Sequence, residues 1–103
     1  MIRVFLVDDH PIVRQGLRTL VQSEPQFSVV GEAGDVASAS AQLAQLLPDV
    51  VILDLNLGTE SGLGLIGVCA GLVPAPRCVV LSMHREESTF DTALQVGAAA
   101  YVL

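Results

Sequence analysis

Acidic residues end two of the most apolar runs in this chain. Asp8 and Asp9 follow IRVFLV at 2–7, and Asp54 follows VVIL at 50–53. A hydroxyl, Ser82, ends a third run, RCVVLS at 77–82. Taken singly, each is an ordinary strand-terminating residue or helix cap. Brought together they are not, because adjacent carboxylates repel and at least one pKa should rise unless a cation intervenes. A hard divalent cation relieves the repulsion, and Mg²⁺ typically takes one or two carboxylates, several waters and a phosphate oxygen. Asn56, two residues after Asp54, is placed to add a main-chain carbonyl. The chemistry that follows is phosphoryl transfer onto a carboxylate. An aspartate acts as nucleophile and becomes an acyl phosphate, while the metal spreads the transition-state charge. The product adds about −1.5 to −2 charges and new acceptor oxygens, towards which Ser82 can swing its hydroxyl.

These residues need a frame that collects strand ends in one place. Four short aliphatic runs, at 2–7, 27–33, 50–53 and 77–82, and a fifth, AAYVL at 99–103, read as buried parallel strands. Helical segments separate them. Pro11 fits a first helical position, and Ile12, Val13, Leu17, Leu20 and Val21 recur at helical spacing. Asp35 can cap a helix carrying Val36, Ala39, Leu43 and Leu46 that ends before Pro48. The charge-free stretch GLGLIGVCAGLV at 62–73 predicts a third helix despite its glycines. Glu86 and Glu87 suit the first turn of a fourth, which Gly97 would end. Strict β-α alternation implies one α/β domain, a parallel sheet covered by helices on both faces. In such sheets ligands bind beyond the carboxyl ends of the strands.

Composition removes several alternatives. With 103 residues, 51% of them hydrophobic and 16% charged, the chain suits one packed core and not a disordered segment. No apolar run reaches the roughly 18 residues of a membrane span. Acids follow the N-terminal apolar run where a signal peptide would need small residues and a cleavage site, so the expected location is cytoplasmic. The net charge is −6, and the five cations are scattered arginines, with no lysine. Such a chain is a poor nucleic-acid binder by itself. Cys69 and Cys78 sit in apolar surroundings and read as two buried, reduced thiols. His10 and His84 lie at strand ends near the acids, where a transition-metal site made with them is an alternative to Mg²⁺.

VDDHPIVRQGL at 7–17, VVILDLNLGTESGL at 50–63, LSMH at 81–84 and VGAAAYVL at 96–103 resemble response-regulator receiver domains, above all those of the NarL/FixJ subfamily. The resemblance runs in order along the whole chain. It implies a flavodoxin-like, doubly wound sheet of strand order 2-1-3-4-5, whose switch point lies between strands one and three. By position it makes Asp54 the phosphorylated residue, Asp9 the direct Mg²⁺ ligand, Asp8 the acid that binds through water, and Asn56 the carbonyl donor. Ser82 becomes the switch hydroxyl and Tyr101 the switch aromatic, although a half-buried strand tyrosine needs no switch. The partners implied are a sensor histidine kinase, recognised near Arg14, Gln15 and Arg18, a second copy on activation, and DNA through a LuxR-type output domain. The family lysine would fall at position 104, past the last residue, and the fifth helix and output domain would follow it. The sequence is therefore expected to be the front part of a longer protein, truncated after the fifth strand. Two other readings stand beside this one. An aspartate-nucleophile phosphatase of the haloacid-dehalogenase type needs an acid where Asn56 stands. A receiver fold kept only for binding would have no use for the three aspartates.

Overall fold

The computed structural model describes residues 1–54, 56–57, 60–81 and 100–102, with side chains over 1–54 and 62–81. Five strands form one sheet: β1 (Ile2–Val7), β2 (Phe27–Ala33), β3 (Val50–Asp54), β4 (Arg77–Leu81) and β5 (Ala100–Val102). Their order is β2-β1-β3-β4-β5, and every pairing is parallel. The implied order 2-1-3-4-5 is therefore the observed one. The fourth helix expected between Glu86 and Gly97, together with Ser82 and His84, lies outside the described residues.

Helix α1 (Pro11–Gln22) leads from β1 out to β2, and α2 (Val36–Leu46) leads back past β1 to β3. This reversal, with right-handed crossovers, puts α1 on one face and α2 and α3 (Leu63–Ala70) on the other. The core lies under α2 and α3. Phe5, Val7, Val51, Leu53, Cys78 and Val80 from the sheet meet Ala39 and Leu43 of α2 and Leu65, Ile66 and Cys69 of α3, all buried. Strand alternation accounts for that set, since each strand contributes every second residue.

Local sequence sets the boundaries. The Asp35 side chain caps α2 by accepting from the Ser38 N–H at 2.7 Å. Its far end closes on Leu47, whose φ of 45° is left-handed. The Arg3 guanidinium donates to the Leu47 carbonyl at 3.1 Å and so ties that end to β1. Helix α3 is shorter than the apolar stretch at 62–73 suggested. Gly71 closes it, and Pro74 forbids helical continuation just beyond.

Two features of the edge matter later. The β1–β2 pairing slips by one residue, Val4 facing Val29 but Phe5 facing Gly31. A Cβ at Gly31 would lie 2.9 Å from both the Phe5 ring and Leu46 Cδ1, so only glycine fits there. Helix α1 differs from the expected amphipathic core helix. None of its residues is buried, and Ile12 and Leu20 are 85% and 69% exposed. Polar contacts hold it down instead. Arg14 Nε and Arg18 Nη1 reach the two carboxylate oxygens of Glu32 on β2, at 3.1 and 3.2 Å.

Candidate metal centre

The acid pair begins where β1 runs out. Val7 is in register with Leu53, so Asp8 and Asp54 occupy the next rung of neighbouring strands. The Asp8 backbone N–H still donates to the Ala33 carbonyl at 3.1 Å, continuing the β1–β2 ladder by one residue. The chain then turns sharply. Asp8 Oδ1 accepts the His10 N–H at 2.7 Å, and Pro11 starts α1. Arg14 fixes this turn from below, donating from Nη1 to the Asp8 carbonyl at 2.7 Å. Gly34 leaves room for that guanidinium, since a Cβ there would stand 3.0 Å from Nη1 and 3.8 Å from Asp9 Cα.

The result is a tight group of donors. One ligand atom each from Asp8, Asp9, His10 and Asp54 lies within 4.8 Å of the others. Asp8 is 2% exposed, whereas the His10 side chain is 62% exposed. Asp9 Oδ1 is buried without a hydrogen-bond partner among the described residues. A buried carboxylate oxygen left unpaired is costly, and a bound cation is the partner that would satisfy it. Three carboxylates therefore fit Mg²⁺, and they sit at the switch point of the sheet.

The other expected residues are placed as follows. Asn56 pairs with Ser61 in a two-residue antiparallel ladder, Asn56–Leu57 against Glu60–Ser61, just beyond β3. Tyr101 lies in β5, its backbone in register with Val80. The two cysteines are free and buried against each other's elements in the core. The polar brace of Arg14, Arg18, Glu32 and Gly34 adds to the site residues that motif spacing alone does not assign to it. The sequence signal for it is an arginine in the first turns of α1, at a position expected to face the kinase.

The pattern of response regulator receiver domains matches residues 4–103. The chain belongs to the response regulator receiver family. It is 40% identical over 103 residues to the DNA-binding transcriptional activator DevR/DosR of Mycobacterium tuberculosis, covering all of this chain and 48% of that protein. It is 35% identical over 100 residues to the nitrate/nitrite response regulator NarL of Escherichia coli K12, covering 97% of this chain and 46% of the relative. The receiver thus spans about half the length of these relatives. Among solved structures, the signal receiver domain of the response regulator NarL from Mycobacterium tuberculosis superposes with a TM-score of 0.91 at 33% identity. That match covers 99% of this chain and 82% of the other. A LuxR-family response regulator from Aurantimonas gives 0.90 at 35% identity, over 98% and 72%. These relatives agree with the NarL/FixJ resemblance, and a receiver domain of this kind is a signalling domain. No helix among the described residues is long and apolar enough to cross a membrane.

Proposed function

We propose that this receiver domain accepts a phosphoryl group on Asp54 from a sensor histidine kinase in the cytoplasm, using Mg²⁺. The observation that carries the reading is the convergence of Asp8, Asp9 and Asp54 within 4.8 Å at the adjacent carboxyl ends of β1 and β3. Asp54 is the nucleophile. One of its carboxylate oxygens forms a bond to phosphorus as the bond from phosphorus to the donor's phosphohistidine nitrogen breaks. Asp9, whose buried Oδ1 has no hydrogen-bond partner among the described residues and lies 2.9 Å from His10 Nδ1, and Asp8, held by the turn at His10, supply the negative charge that would retain the cation. When bound, Mg²⁺ neutralises phosphoryl oxygens and favours in-line transfer. The carbonyl of Asn56 completes the donor set on the β3 side. Rigidity matters here, and Arg14 provides it by fixing the Asp8 carbonyl.

The acyl phosphate brings about −1.5 to −2 charges to the top of the sheet. Ser82 and Tyr101 are the residues that respond, shifting the face made by the fourth helix and β5. The domain catalyses only its own phosphorylation and dephosphorylation. Residues 1–103 belong to the receiver, whose fifth helix follows them in the full protein together with a DNA-binding output domain. Support for that comes from relatives about twice as long, one of them a DNA-binding transcriptional activator. Phosphorylation then promotes homodimerisation and controls transcription.

The test is incubation with Mg²⁺ and acetyl phosphate, followed by intact mass. A phosphate-sized gain in the native chain, absent from Asp54→Ala, is expected. A gain that persists in Asp54→Ala, or no gain in a chain extended through position 104, overturns the reading.

A further inference from the structure

Cys69 and Cys78 are the two cysteines of the chain, and the fold sets them against each other in the core. Cys69 sits in the last turn of α3, and Cys78 is the second residue of β4, in register with Val51. Each is 1% exposed, and their sulfurs share one hydrogen bond in which the Cys78 thiol donates to Cys69. Two sulfurs already in hydrogen-bond contact need a closing movement on the order of 1–2 Å to reach a disulfide's length of about 2.05 Å. The two elements differ in how readily they yield. Strand β4 is held on both sides, by β3 and by β5. Helix α3 has only eight residues, Gly62 offers no side chain to cap it, and Gly64 and Gly67 weaken it from within. A Cβ at either of these two glycines would meet nothing within 4 Å, so no packing fixes the helix along that side. The short helix is therefore the part that opens to admit a small reagent and that moves when the bond forms.

We infer that Cys69 and Cys78 form a redox modification site, closing a reversible intramolecular disulfide between α3 and β4 when the chain meets hydrogen peroxide. Asp54 is in register with Leu81, whereas Cys78 lies nearer the other end of β4, so the site is separate from the acidic pocket. It does not depend on phosphorylation of Asp54. Cys69 is the thiol that reacts first, because the hydrogen bond from Cys78 holds it below its ordinary value and favours the thiolate. Cys78 is held protonated by the same bond and by burial. The Cys69 thiolate attacks one peroxide oxygen and the O–O bond breaks. The departing hydroxide takes up the proton that Cys69 gave and leaves as water, with Cys69 now a sulfenic acid. The Cys78 sulfur then attacks the Cys69 sulfur, the S–O bond breaks, and hydroxide leaves as water with the Cys78 proton. Two thiols are thereby oxidised to one disulfide, and one peroxide is reduced to two waters.

Treatment of the native chain with hydrogen peroxide, then with N-ethylmaleimide in urea, followed by mass measurement, tests this. The expected product takes up no maleimide, is about 2 Da lighter through loss of two hydrogens, and returns to its starting mass with dithiothreitol. Cleavage after arginine maps the bond, because Arg77 stands between the two cysteines. Peptides 19–77 and 78–85 should run joined without reductant and apart with it. Dimedone present during the oxidation should trap the sulfenic acid on peptide 19–77 and leave 78–85 unlabelled. These measurements need no variant, so a serine that unfolds the core cannot obscure them. A chain that still takes two maleimides, sulfinic or sulfonic products without the joined peptides, or a bond between two copies overturns the inference. Dimedone on 78–85 overturns the part given to Cys69.

Discussion

Arg14 Nη1 donates a 2.7 Å hydrogen bond to the main-chain carbonyl of Asp8, so helix α1 is fastened directly to the residue that opens the acidic pocket. The same guanidinium holds Glu32 through Nε at 3.1 Å. One side chain thus connects α1, β2 and the turn after β1. Truncation removes a charge-assisted hydrogen bond to a partly buried carbonyl and leaves Glu32 with Arg18. Arg14→Ala should lower stability by about 1–2 kcal/mol in urea unfolding. It should also slow phosphate uptake from acetyl phosphate and weaken Mg²⁺ binding. Unchanged Mg²⁺ affinity in a destabilised variant would limit Arg14 to a structural role.

The carboxylates of Asp8, Asp9 and Asp54 repel one another when no cation is bound. Asp9→Asn removes one charge from within 4.8 Å of the other two. Without metal, the variant should be more stable than the native chain by about 1 kcal/mol, well under the bare Coulomb figure because water and His10 screen the pocket. Added Mg²⁺ should raise the melting temperature of the native chain and leave that of the variant nearly unmoved. Thermal melts with and without Mg²⁺ read both effects, and equal shifts in the two proteins would contradict the placement of Asp9.

Gly31 occupies a space no larger residue can share. In Gly31→Ala the new carbon meets the Phe5 ring and Leu46 Cδ1 at 2.9 Å, and both neighbours belong to or pack against the core. Overpacking should cost about 1–3 kcal/mol. Urea unfolding measures it, and Gly64→Ala, with nothing within 4 Å of the added carbon, serves as a control that should be neutral or slightly stabilising.

Cys69 and Cys78 share one hydrogen bond in the core. That bond and burial push the Cys78 thiol far above its ordinary 9.0, while Cys69 moves down because Cys78 donates to it. The sign for Cys78 is that of a raised group. Its contribution is complete below pH 9.0, where both folded and unfolded thiols are protonated. It is lost as pH rises further, because only the unfolded chain then releases that proton. Cys69, lowered by the same contact, has the opposite sign and offsets part of this. For the pair, stability should fall as pH rises above 9.0, where the unfolded chain releases a proton that the folded pair keeps. Replacing both residues, Cys69→Ala with Cys78→Ala, should flatten that decline, and urea midpoints at pH 8, 9 and 10 that fall equally in the two proteins would refute the assignment.

The strands and their order were legible because buried parallel strands announce themselves as short aliphatic runs, and because Asp8, Asp9 and Asp54 stand where two of those runs stop. The cap at Asp35 and the start at Pro11 were legible for equally local reasons. What escaped depends on packing between distant segments. Periodicity along α1 marks Ile12, Val13 and Leu20 as one apolar group, yet it says nothing of what covers them, and these three are exposed. The brace between Arg14, Arg18 and Glu32 joins residues up to 18 positions apart through side chains whose reach no pattern specifies. The ladder between Asn56 and Ser61 is too short to leave a periodic trace. His10 reads from sequence as a strand-end histidine, but its distances to Asp8 and Asp9 depend on the turn geometry.

The slipped register between Val4 and Phe5 lies on β2, an outer strand of the sheet. An unpaired strand margin invites foreign backbones to add themselves, and an extra residue there bends and twists the rim out of alignment. Copies of this chain crowded together are therefore discouraged from zipping margin to margin along β2. The irregularity that seats Phe5 over Gly31 also guards the molecule against runaway fibrous growth from that side.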